Sequence, residues 1–205
     1  MKIYLCIKQI LDTVFSFSLT ILLSPILLII AFIIKLDSKG PILFRQKRIG
    51  KDCSYFYILK FRTMKTDTPK DIPTHLLQNA ESFITRSGSF LRKSSLDELP
   101  QLFNIIKGQM SFIGPRPALW SQYDLIEARE KQSDATGITA NSIKPGITGW
   151  AQVNGRDELP IAIKADFDGY YAKNIGLGLD LKILVMTVIR ILTRKGISEG
   201  GPKSR

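Results

Sequence analysis

Histidine is almost absent from this chain, since His75 is the only one in 205 residues. That scarcity excludes a Ser–His–Asp triad, most zinc sites and histidine general bases. The two cysteines, Cys6 and Cys53, lack metal-ligand spacing, and two cysteines make no disulfide framework. Any acid–base or nucleophilic chemistry must therefore come from carboxylates, lysines or hydroxyl groups.

Acidic residues are also in the minority, with 18 Asp and Glu against 29 Lys and Arg, a formal charge of +11. Such an excess suits an anionic partner: nucleic acid, an anionic bilayer face or a phosphorylated substrate. Nucleic acid is the least favoured of these, because the chain has no zinc spacing and no basic segment interleaved with aromatics. A hydrophobic fraction of 44% argues against disorder, and 205 residues are enough for one folded domain with a small appendage.

Charge is missing altogether from Thr13 to Ile34, a run of 22 residues. As a straight helix the run would rise about 33 Å, roughly the hydrocarbon thickness of a bilayer. Ser24-Pro25 interrupts it, because an interior proline removes a backbone hydrogen bond and the serine hydroxyl can satisfy the freed carbonyl. Basic residues flank both ends, which favours placing both on the cytoplasmic side. Two topologies stay open: a helix broken at Ser24-Pro25 that enters and leaves by one face, or a kinked single span.

The remaining pattern predicts an α+β fold that is mainly helical. The stretch Pro41–Met64 is rich in β-branched and aromatic residues and predicts one or two strands. Helices are predicted over Leu76–Phe83, around Phe90–Leu91, and over Pro100–Lys107, Tyr123–Lys131, Ile161–Lys173 and Leu179–Arg194. The helix over Pro100–Lys107 has Gly108 as its carboxyl cap. The last could lie in a membrane interface through Lys182 and Arg190, or could pack in the core.

Two adjacent carboxylates, Asp97 and Glu98, follow the cations Arg92 and Lys93 and precede a helix. One interpretation makes Asp97 the N-cap of that helix. The other is chemical, because cations and a helix amino terminus keep a carboxylate ionised and attract phosphate. An aspartate can then attack phosphorus to form an acyl phosphate, while the glutamate holds Mg²⁺.

Further candidates are cations and amides in two proline- and glycine-rich segments. Arg116 stands between Pro115 and Pro117, which suits bidentate phosphate binding or, alternatively, a rigid turn with a structural salt bridge. The stretch Pro145–Arg156 is predicted to be non-helical, with glycines that permit close approach to a ligand. Its polar side chains are Gln152, Asn154 and Arg156, and the apolar stretch before residue 64 adds Lys60 and Arg62.

The segments SSLDELPQLFN, MSFIGPRP, KPGITGWAQVNGR and LKFRTM, with the Ser-Pro break, resemble the monotopic phosphoglycosyl transferases, the bacterial sugar transferase family. The similarity runs in order from Lys8 to about Gly200. It implies that Asp97 attacks the sugar-proximal phosphate of a UDP-sugar and expels UMP, and that Glu98 supports Mg²⁺. Polyprenyl phosphate, undecaprenyl phosphate in most bacteria, then takes the phosphosugar. Phosphate binding would fall to Arg92, Arg116 and Lys60, and nucleotide binding to the stretch holding Gln152, Asn154 and Arg156.

The resemblance also implies a membrane setting. Residues 1–36 would form a re-entrant membrane helix, and residues 37–205 a compact cytosolic catalytic domain with helices in the interface of the bacterial cytoplasmic membrane. The donor would carry an N-acetylated or deoxy-amino hexose, with UDP-glucose and UDP-galactose as alternatives, in capsule or surface-polysaccharide assembly. Lipids, a second copy of the chain or downstream glycosyltransferases would be its partners. The polar stretch Arg129–Lys144, longer than in compact family members, would select the sugar or contact a partner. The competing hypothesis is a membrane-anchored scaffold without enzymatic activity.

Overall fold

The fold is mainly helical, as predicted, in a computed structural model that describes residues 2–69, 79–133, 137–155 and 159–193. The helices are α1 (Lys2–Leu22), α2 (Ser24–Asp37), α3 (Ala80–Phe83), α4 (Arg86–Ser94), α5 (Gln101–Ile106), α6 (Tyr123–Glu130), α7 (Trp150–Asn154), α8 (Ile161–Lys173) and α9 (Leu177–Thr193). The strands are β1 (Leu43–Ile49), β2 (Tyr55–Phe61), β3 (Ser111–Ile113) and β4 (Gly146–Thr148). The parts of the predicted helices over residues 76–78 and at residue 194 lie outside the described residues.

The apolar amino-terminal segment is two helices, interrupted at Leu23. Pro25 has no N–H to give to the carbonyl of Ile21, which a continuous helix would pair with it. The Ser24 hydroxyl donates to that carbonyl instead, at 2.8 Å. Within the described residues, Ile3–Leu22 is the stretch long and apolar enough to cross a membrane, judged by length and composition alone.

Polar contacts attach α1 to the rest of the protein along one face. Lys8 forms an ion pair with Asp180 of α9, and the Ser111 hydroxyl of β3 donates to Asp12. One turn further on, the Ser16 hydroxyl donates to the Leu102 carbonyl at 3.3 Å. Residues 8, 12 and 16 are spaced four apart, so they share one side of the helix.

The far end of α2 attaches to a different part of the same body. Ile30 and Ile34 pack against Phe61 and Leu91 in a buried apolar cluster. Asp37 accepts hydrogen bonds from the backbone N–H and the hydroxyl of Ser87, at the amino terminus of α4. Buried Arg62, a candidate cation in the sequence, donates to the carbonyls of Lys39 and Ser38, so it secures the end of α2.

The predicted extended region is an antiparallel hairpin of β1 and β2, with Lys47 opposite Tyr57. Asp52 and Cys53 at its tip both have positive φ, as a tight hairpin turn of type I′ requires. The structure therefore confirms two strands here.

The prediction that Pro145–Arg156 is non-helical is wrong in part. Gly146–Thr148 pairs in parallel with Ser111–Ile113, and Trp150–Asn154 forms α7. Both elements pack beside the core of Ile113, Val153, Tyr171 and Ile183 with α8 and α9.

The glycines of this stretch make room for protein backbone. A Cβ on Gly146 would lie 2.1 Å from the nitrogen of Gly114, and one on Gly149 would lie 2.1 Å from its carbonyl oxygen. The segment with Gly114, Pro115 and Arg116 is thus pressed against β4. The sequence suggested that these glycines allow close approach of a ligand. In the structure, Gly146 and Gly149 instead allow close approach of two chain segments.

Candidate active site

Asp97 and Glu98 lie in a single 3-10 turn, Leu96–Glu98, between α4 and α5. Ser95 occupies the position before the turn with a left-handed conformation (φ 58°), which reverses the chain after α4. Pro100, whose φ is fixed near the helical value, precedes the first residue of α5. The N-cap interpretation of Asp97 is therefore wrong, because the turn separates its carboxylate from the start of α5.

Asn104 holds α5 against β2 and so sets the dyad opposite that strand. Its side-chain oxygen accepts from the Leu59 N–H at 2.9 Å, and its amide nitrogen donates to the Tyr57 carbonyl at 2.8 Å. The predicted Gly108 cap closes the helix with φ +72° and a bond from its N–H to the Ile105 carbonyl. Sequence reasoning missed the role of Asn104, although the side chain belongs to the LPQLFN motif.

Lys60, the next residue of β2, reaches the dyad. Its ammonium lies 2.6 Å from Glu98 Oε1, and both side chains are largely buried. On the other side, Arg116 Nη1 lies 3.9 Å from the same oxygen. Two cations from distant parts of the sequence thus converge on one carboxylate.

Asp97 is half-buried among charges of both signs. Burial raises the pKa of its carboxyl above the ordinary value, the neighbouring Glu98 raises it further, and Lys60 is the strongest opposing influence, followed by Arg92 and Arg116. These three cations favour the ionised form that a nucleophile needs.

Arg92 is oriented by the segment after β2. Its Nε donates to the Thr63 hydroxyl at 3.1 Å, and one terminal nitrogen lies 3.5 Å from the Met64 sulfur. Arg92 extends from α4, one turn before the dyad, so the LKFRTM segment supplies both Lys60 and the support for Arg92.

The amides predicted to meet the nucleotide are placed differently from one another. Gln152 is buried, and neither of its side-chain polar atoms has a hydrogen-bond partner in the part of the chain that the structure describes. Asn154 donates to the Trp150 carbonyl within its own helix, at 2.7 Å. Arg156 lies outside the described residues. A Cβ on Gly149 would lie 2.8 Å from Gln152 Oε1 and 2.1 Å from the Gly114 carbonyl oxygen. The Gln152 side chain therefore lies beside the Gly114 backbone.

The carboxylate oxygens of the site fit Mg²⁺ only if substrate phosphates and water complete its ligand shell. No cluster of three or more His, Cys, Asp or Glu side chains occurs among residues 2–69, 79–133, 137–155 and 159–193. Two adjacent carboxylates offer the oxygen ligands that Mg²⁺ prefers, and Mg²⁺ commonly completes its shell with water and substrate phosphates. Glu98 would hold the ion in that way, beside the Asp97 carboxylate.

One buried contact beside the site has no counterpart in the sequence reasoning. Arg129 of α6 pairs with Asp168 of α8 and donates to the Arg116 carbonyl at 2.9 Å. Nothing in the sequence pattern marks these two residues, which are 39 positions apart.

Comparisons with known proteins give a consistent result. The sequence pattern of the family described as bacterial sugar transferase matches residues 3–194. The chain is 40% identical over 176 residues to a UDP-glucose:undecaprenyl-phosphate glucose-1-phosphate transferase of Xanthomonas campestris pv. campestris, covering 83% of this chain and 36% of that protein. It is 38% identical over 193 residues to the uncharacterized sugar transferase EpsL of Bacillus subtilis, covering 94% and 91%.

A third relative carries a different sugar in its name. The chain is 38% identical over 197 residues to a UDP-N-acetylgalactosamine-undecaprenyl-phosphate N-acetylgalactosaminephosphotransferase of Aeromonas hydrophila, covering 95% of this chain and 45% of that protein. The chain therefore spans less than half the length of these relatives from Xanthomonas and Aeromonas.

Proposed function

This chain belongs to the bacterial sugar transferase family, and we propose that it transfers a sugar 1-phosphate from a UDP-sugar to undecaprenyl phosphate and releases UMP. The observation that carries the proposal is the dyad of Asp97 and Glu98 in one turn, with Lys60 2.6 Å and Arg116 3.9 Å from Glu98 Oε1. Relatives that match most of this chain are named for the same transfer.

The proposed reaction has two displacements at phosphorus. Asp97 Oδ attacks the sugar-proximal phosphorus, an aspartyl–phosphosugar bond forms, and the diphosphate bond breaks so that UMP leaves with the electron pair. A phosphate oxygen of undecaprenyl phosphate then attacks the same phosphorus and releases the Asp97 carboxylate. Each step exchanges one phosphate linkage for another, so positioning and charge neutralisation are the main requirements.

Lys60, Arg92 and Arg116 would bind the phosphates on which charge is redistributed. Mg²⁺, held by Glu98, would neutralise charge on the diphosphate and the leaving UMP. Gln152, Asn154 and Arg156 would contact the nucleotide end of the donor. Gln152 lies beside the backbone of Gly114, and Gly114 precedes Arg116 by two residues. The nucleotide contact of Gln152 and the phosphate contact of Arg116 would therefore be adjacent.

The proposed topology is a re-entrant helix, residues 1–36, carrying a cytosolic domain, residues 37–205. Support comes from the attachment of both ends to one body: Lys8 and Ser16 bond to it from α1, and Asp37 bonds to it from α2. Between these contacts the chain exposes large apolar side chains, including Phe17, Ile21, Leu22, Leu28 and Ile29. A bilayer lying between the two ends would have to separate contacts that a single folded domain makes.

Helix α9 would lie in the membrane interface. It buries Asp180 and Ile183 against the domain and exposes a row of apolar residues, among them Leu181, Val188 and Leu192. Lys182 lies over the Trp150 ring, 5.1 Å from its centroid, a pairing suited to the headgroup level. The enzyme would thus work on the cytosolic face of the bacterial inner membrane, where its excess positive charge meets anionic lipid and substrates.

We further propose that the donor sugar is an N-acetylated or deoxy-amino hexose, and that the reaction is the first membrane step of capsule or surface-polysaccharide synthesis. UDP-glucose is the alternative donor, since the relative from Xanthomonas is named for it. A panel of UDP-sugars assayed for UMP release distinguishes these donors.

The decisive experiment uses purified full-length protein with undecaprenyl phosphate, Mg²⁺ and that panel. UMP release from one donor is expected, and Asp97→Asn is expected to abolish it. Asp124→Asn, an exposed aspartate on α6, is the matched control and should keep the activity. Without acceptor, the peptide containing Asp97 should gain one phosphosugar by mass spectrometry. No UMP from any donor would reject the enzyme in favour of a scaffold, and turnover without an adduct at Asp97 would reject the covalent route.

A further inference from the structure

Arg129 connects a buried ion pair to the backbone of Arg116. Its side chain is almost fully buried, and its guanidinium donates to Asp168 Oδ2 from Nε at 3.0 Å and from Nη2 at 2.6 Å. Nη2 also donates to the Arg116 carbonyl at 2.9 Å. Helices α6 and α8 are therefore joined at this point to the segment that points Arg116 at Glu98.

The backbone around Arg116 is held at every carbonyl. Three consecutive carbonyls accept hydrogen bonds, from Gly146 N to Pro115 O (2.9 Å), from Arg129 Nη2 to Arg116 O (2.9 Å) and from Arg48 Nη1 to Pro117 O (3.0 Å). The two prolines fix their own φ angles, and the bonded carbonyls fix the peptide planes between them. The bond from Arg129 is the one that sets the plane directly after the Arg116 Cα.

That bond, with the two neighbouring ones, fixes the position of the Arg116 Cα and the direction of its Cα–Cβ bond, from which the guanidinium extends. Its Nη1 is 3.9 Å from Glu98 Oε1, so a small rotation of the backbone would carry it out of reach or into a closer pair. Misplacing a catalytic group by about 1 Å can cost about a hundredfold in rate. An arginine that recognises phosphate through a planar fork is especially sensitive to orientation.

Stability alone does not account for the buried pair. Placing two charges in the interior carries a large desolvation cost, and apolar residues of similar volume often serve as well or better. Burial raises the pKa of the Asp168 carboxyl, and the Arg129 charge opposes that rise. An apolar pair could fill the space between α6 and α8, but it could not donate a hydrogen bond to the Arg116 carbonyl.

The polar stretch that follows α6 supports the end of the helix on which Arg129 lies. Asn141 Nδ2 donates to Glu130 Oε1 at 2.6 Å and to the Ile126 carbonyl at 3.0 Å. The Thr139 hydroxyl donates to the same Glu130 oxygen at 3.4 Å. Residues 139–141 thus fold back on α6 and secure its last turn.

We infer that Arg129, oriented by Asp168, is a positioning residue that fixes Arg116 for the phosphates of the donor. This inference rests on the proposed function. It assigns the start of the Arg129–Lys144 stretch a role in phosphate recognition, in place of selecting the sugar or contacting a partner.

The test is a double-mutant cycle with Arg129→Lys and Arg116→Ala. Lysine keeps a positive charge for Asp168 but lacks the planar fork that binds carboxylate and carbonyl together. In the otherwise unchanged enzyme, Arg129→Lys should lower kcat/KM for the UDP-sugar about 10- to 100-fold. In the Arg116→Ala background, Arg129→Lys should lower kcat/KM no further, because the side chain that Arg129 positions is already absent. Lys131→Ala, which removes an exposed cation paired with Glu127 on the same helix, is the matched control and should change neither background.

Two results would overturn the inference. One is an equal loss from Arg129→Lys in both backgrounds, which would mean a general structural effect. The other is full activity of Arg129→Lys with an unchanged thermal unfolding curve. If Arg129→Lys does not fold, Asp168→Asn takes its place in the cycle, because asparagine removes the charge that orients Arg129 and keeps an acceptor for its guanidinium.

A readout without turnover separates this inference from the proposed function. The Arg116 side chain is about one-third exposed, so phenylglyoxal should modify it, and peptide mass spectrometry gives the rate. Arg129→Lys should change that rate at least twofold and leave exposed Arg86 unaffected. An unchanged rate at Arg116 refutes the positioning role. Failure of the wild-type chain to release UMP refutes the proposed function alone.

Discussion

Lys8 and Asp180 form a buried ion pair, 2.7 Å long, between α1 and α9, although 172 residues separate them in the sequence. Asp180 also accepts hydrogen bonds from the hydroxyls of Tyr4 at 2.7 Å and Tyr171 at 2.8 Å. One carboxylate therefore joins the first helix to α8 and α9, at the base of the apolar segment.

Replacing this carboxylate should destabilise the whole protein. Asp180→Ala removes the carboxylate that pairs directly with the buried Lys8 ammonium and leaves Asp12, one turn along α1, as the carboxylate that still interacts with it. Breaking a buried pair by removing one partner typically costs about 3–5 kcal/mol. Thermal or denaturant unfolding in detergent micelles measures the loss. The double variant Lys8→Met/Asp180→Leu removes both charges and should recover much of it, whereas a single variant as stable as the parent would contradict the role of the pair.

The break at Ser24-Pro25 should determine membrane topology. In a background with Cys6→Ser and Cys53→Ser, single cysteines at positions 2 and 39 should both resist labelling from outside intact cells. Ser24→Ala with Pro25→Ala restores the missing backbone donor and should straighten the helix, so that position 2 becomes labelled. Ser24→Ala alone keeps the proline and should leave both positions protected. Labelling of position 2 in the parent would establish a full span.

Lys60 should be required for the rate of phosphosugar transfer. Lys60→Met removes the cation that most strongly offsets the burial of Asp97 and the one nearest Glu98. Loss of one preorganised charged donor typically lowers kcat by about 10²–10³, so UMP release should fall by that order. Lys65→Met, which replaces an exposed lysine five residues further along the chain, is the control. Parental activity in Lys60→Met would show that the contact with Glu98 is not used.

Removal of divalent cations should stop UMP release, and added Mg²⁺ should restore it. The Glu98 carboxylate alone supplies an incomplete ligand shell, so Mg²⁺ binding should depend on the donor diphosphate. Glu98→Gln should therefore raise the Mg²⁺ concentration needed for half-maximal rate, measured at saturating UDP-sugar. Undiminished activity after exhaustive chelation would exclude the metal from the mechanism.

Asp37 should make stability depend on pH below the neutral range. The N–H and hydroxyl of Ser87 favour the carboxylate and lower the pKa of Asp37 below its usual 3.8. A lowered pKa in the folded state gives a stabilisation that is present above 3.8 and is lost as the pH falls through the folded value. Asp37→Asn should thus unfold at a lower temperature than the parent at pH 7, and the difference should shrink towards pH 3. A difference independent of pH would contradict this origin.

Local sequence pattern accounted for the elements that local interactions determine. Ile161–Lys173 is helical with the predicted bounds, and the β-branched stretch before residue 64 forms the hairpin. The short strands Ser111–Ile113 and Gly146–Thr148 were missed, because three residues cannot show an alternation and their pairing depends on tertiary contact. The short helix Trp150–Asn154 was hidden by the glycines around it, which backbone packing requires.

Some residues of the candidate site could be predicted from the sequence, and others could not. The motifs identified Asp97, Glu98 and Arg116, and the structure brings them together with Lys60; their catalytic roles stay predictions. Arg129 and Asp168 could not be found from sequence, because a buried pair between two helices has no characteristic spacing. Side-chain contacts of this kind depend on how α6 and α8 pack.

The contacts of Asn104 with the Tyr57 carbonyl and the Leu59 N–H imitate a third strand along the outer edge of β2. On the opposite edge, Arg48 of β1 forms an isolated bridge with Leu119. Asn104 is itself buried, so its replacement by an apolar residue would remove both hydrogen bonds from an edge that water cannot reach to replace them.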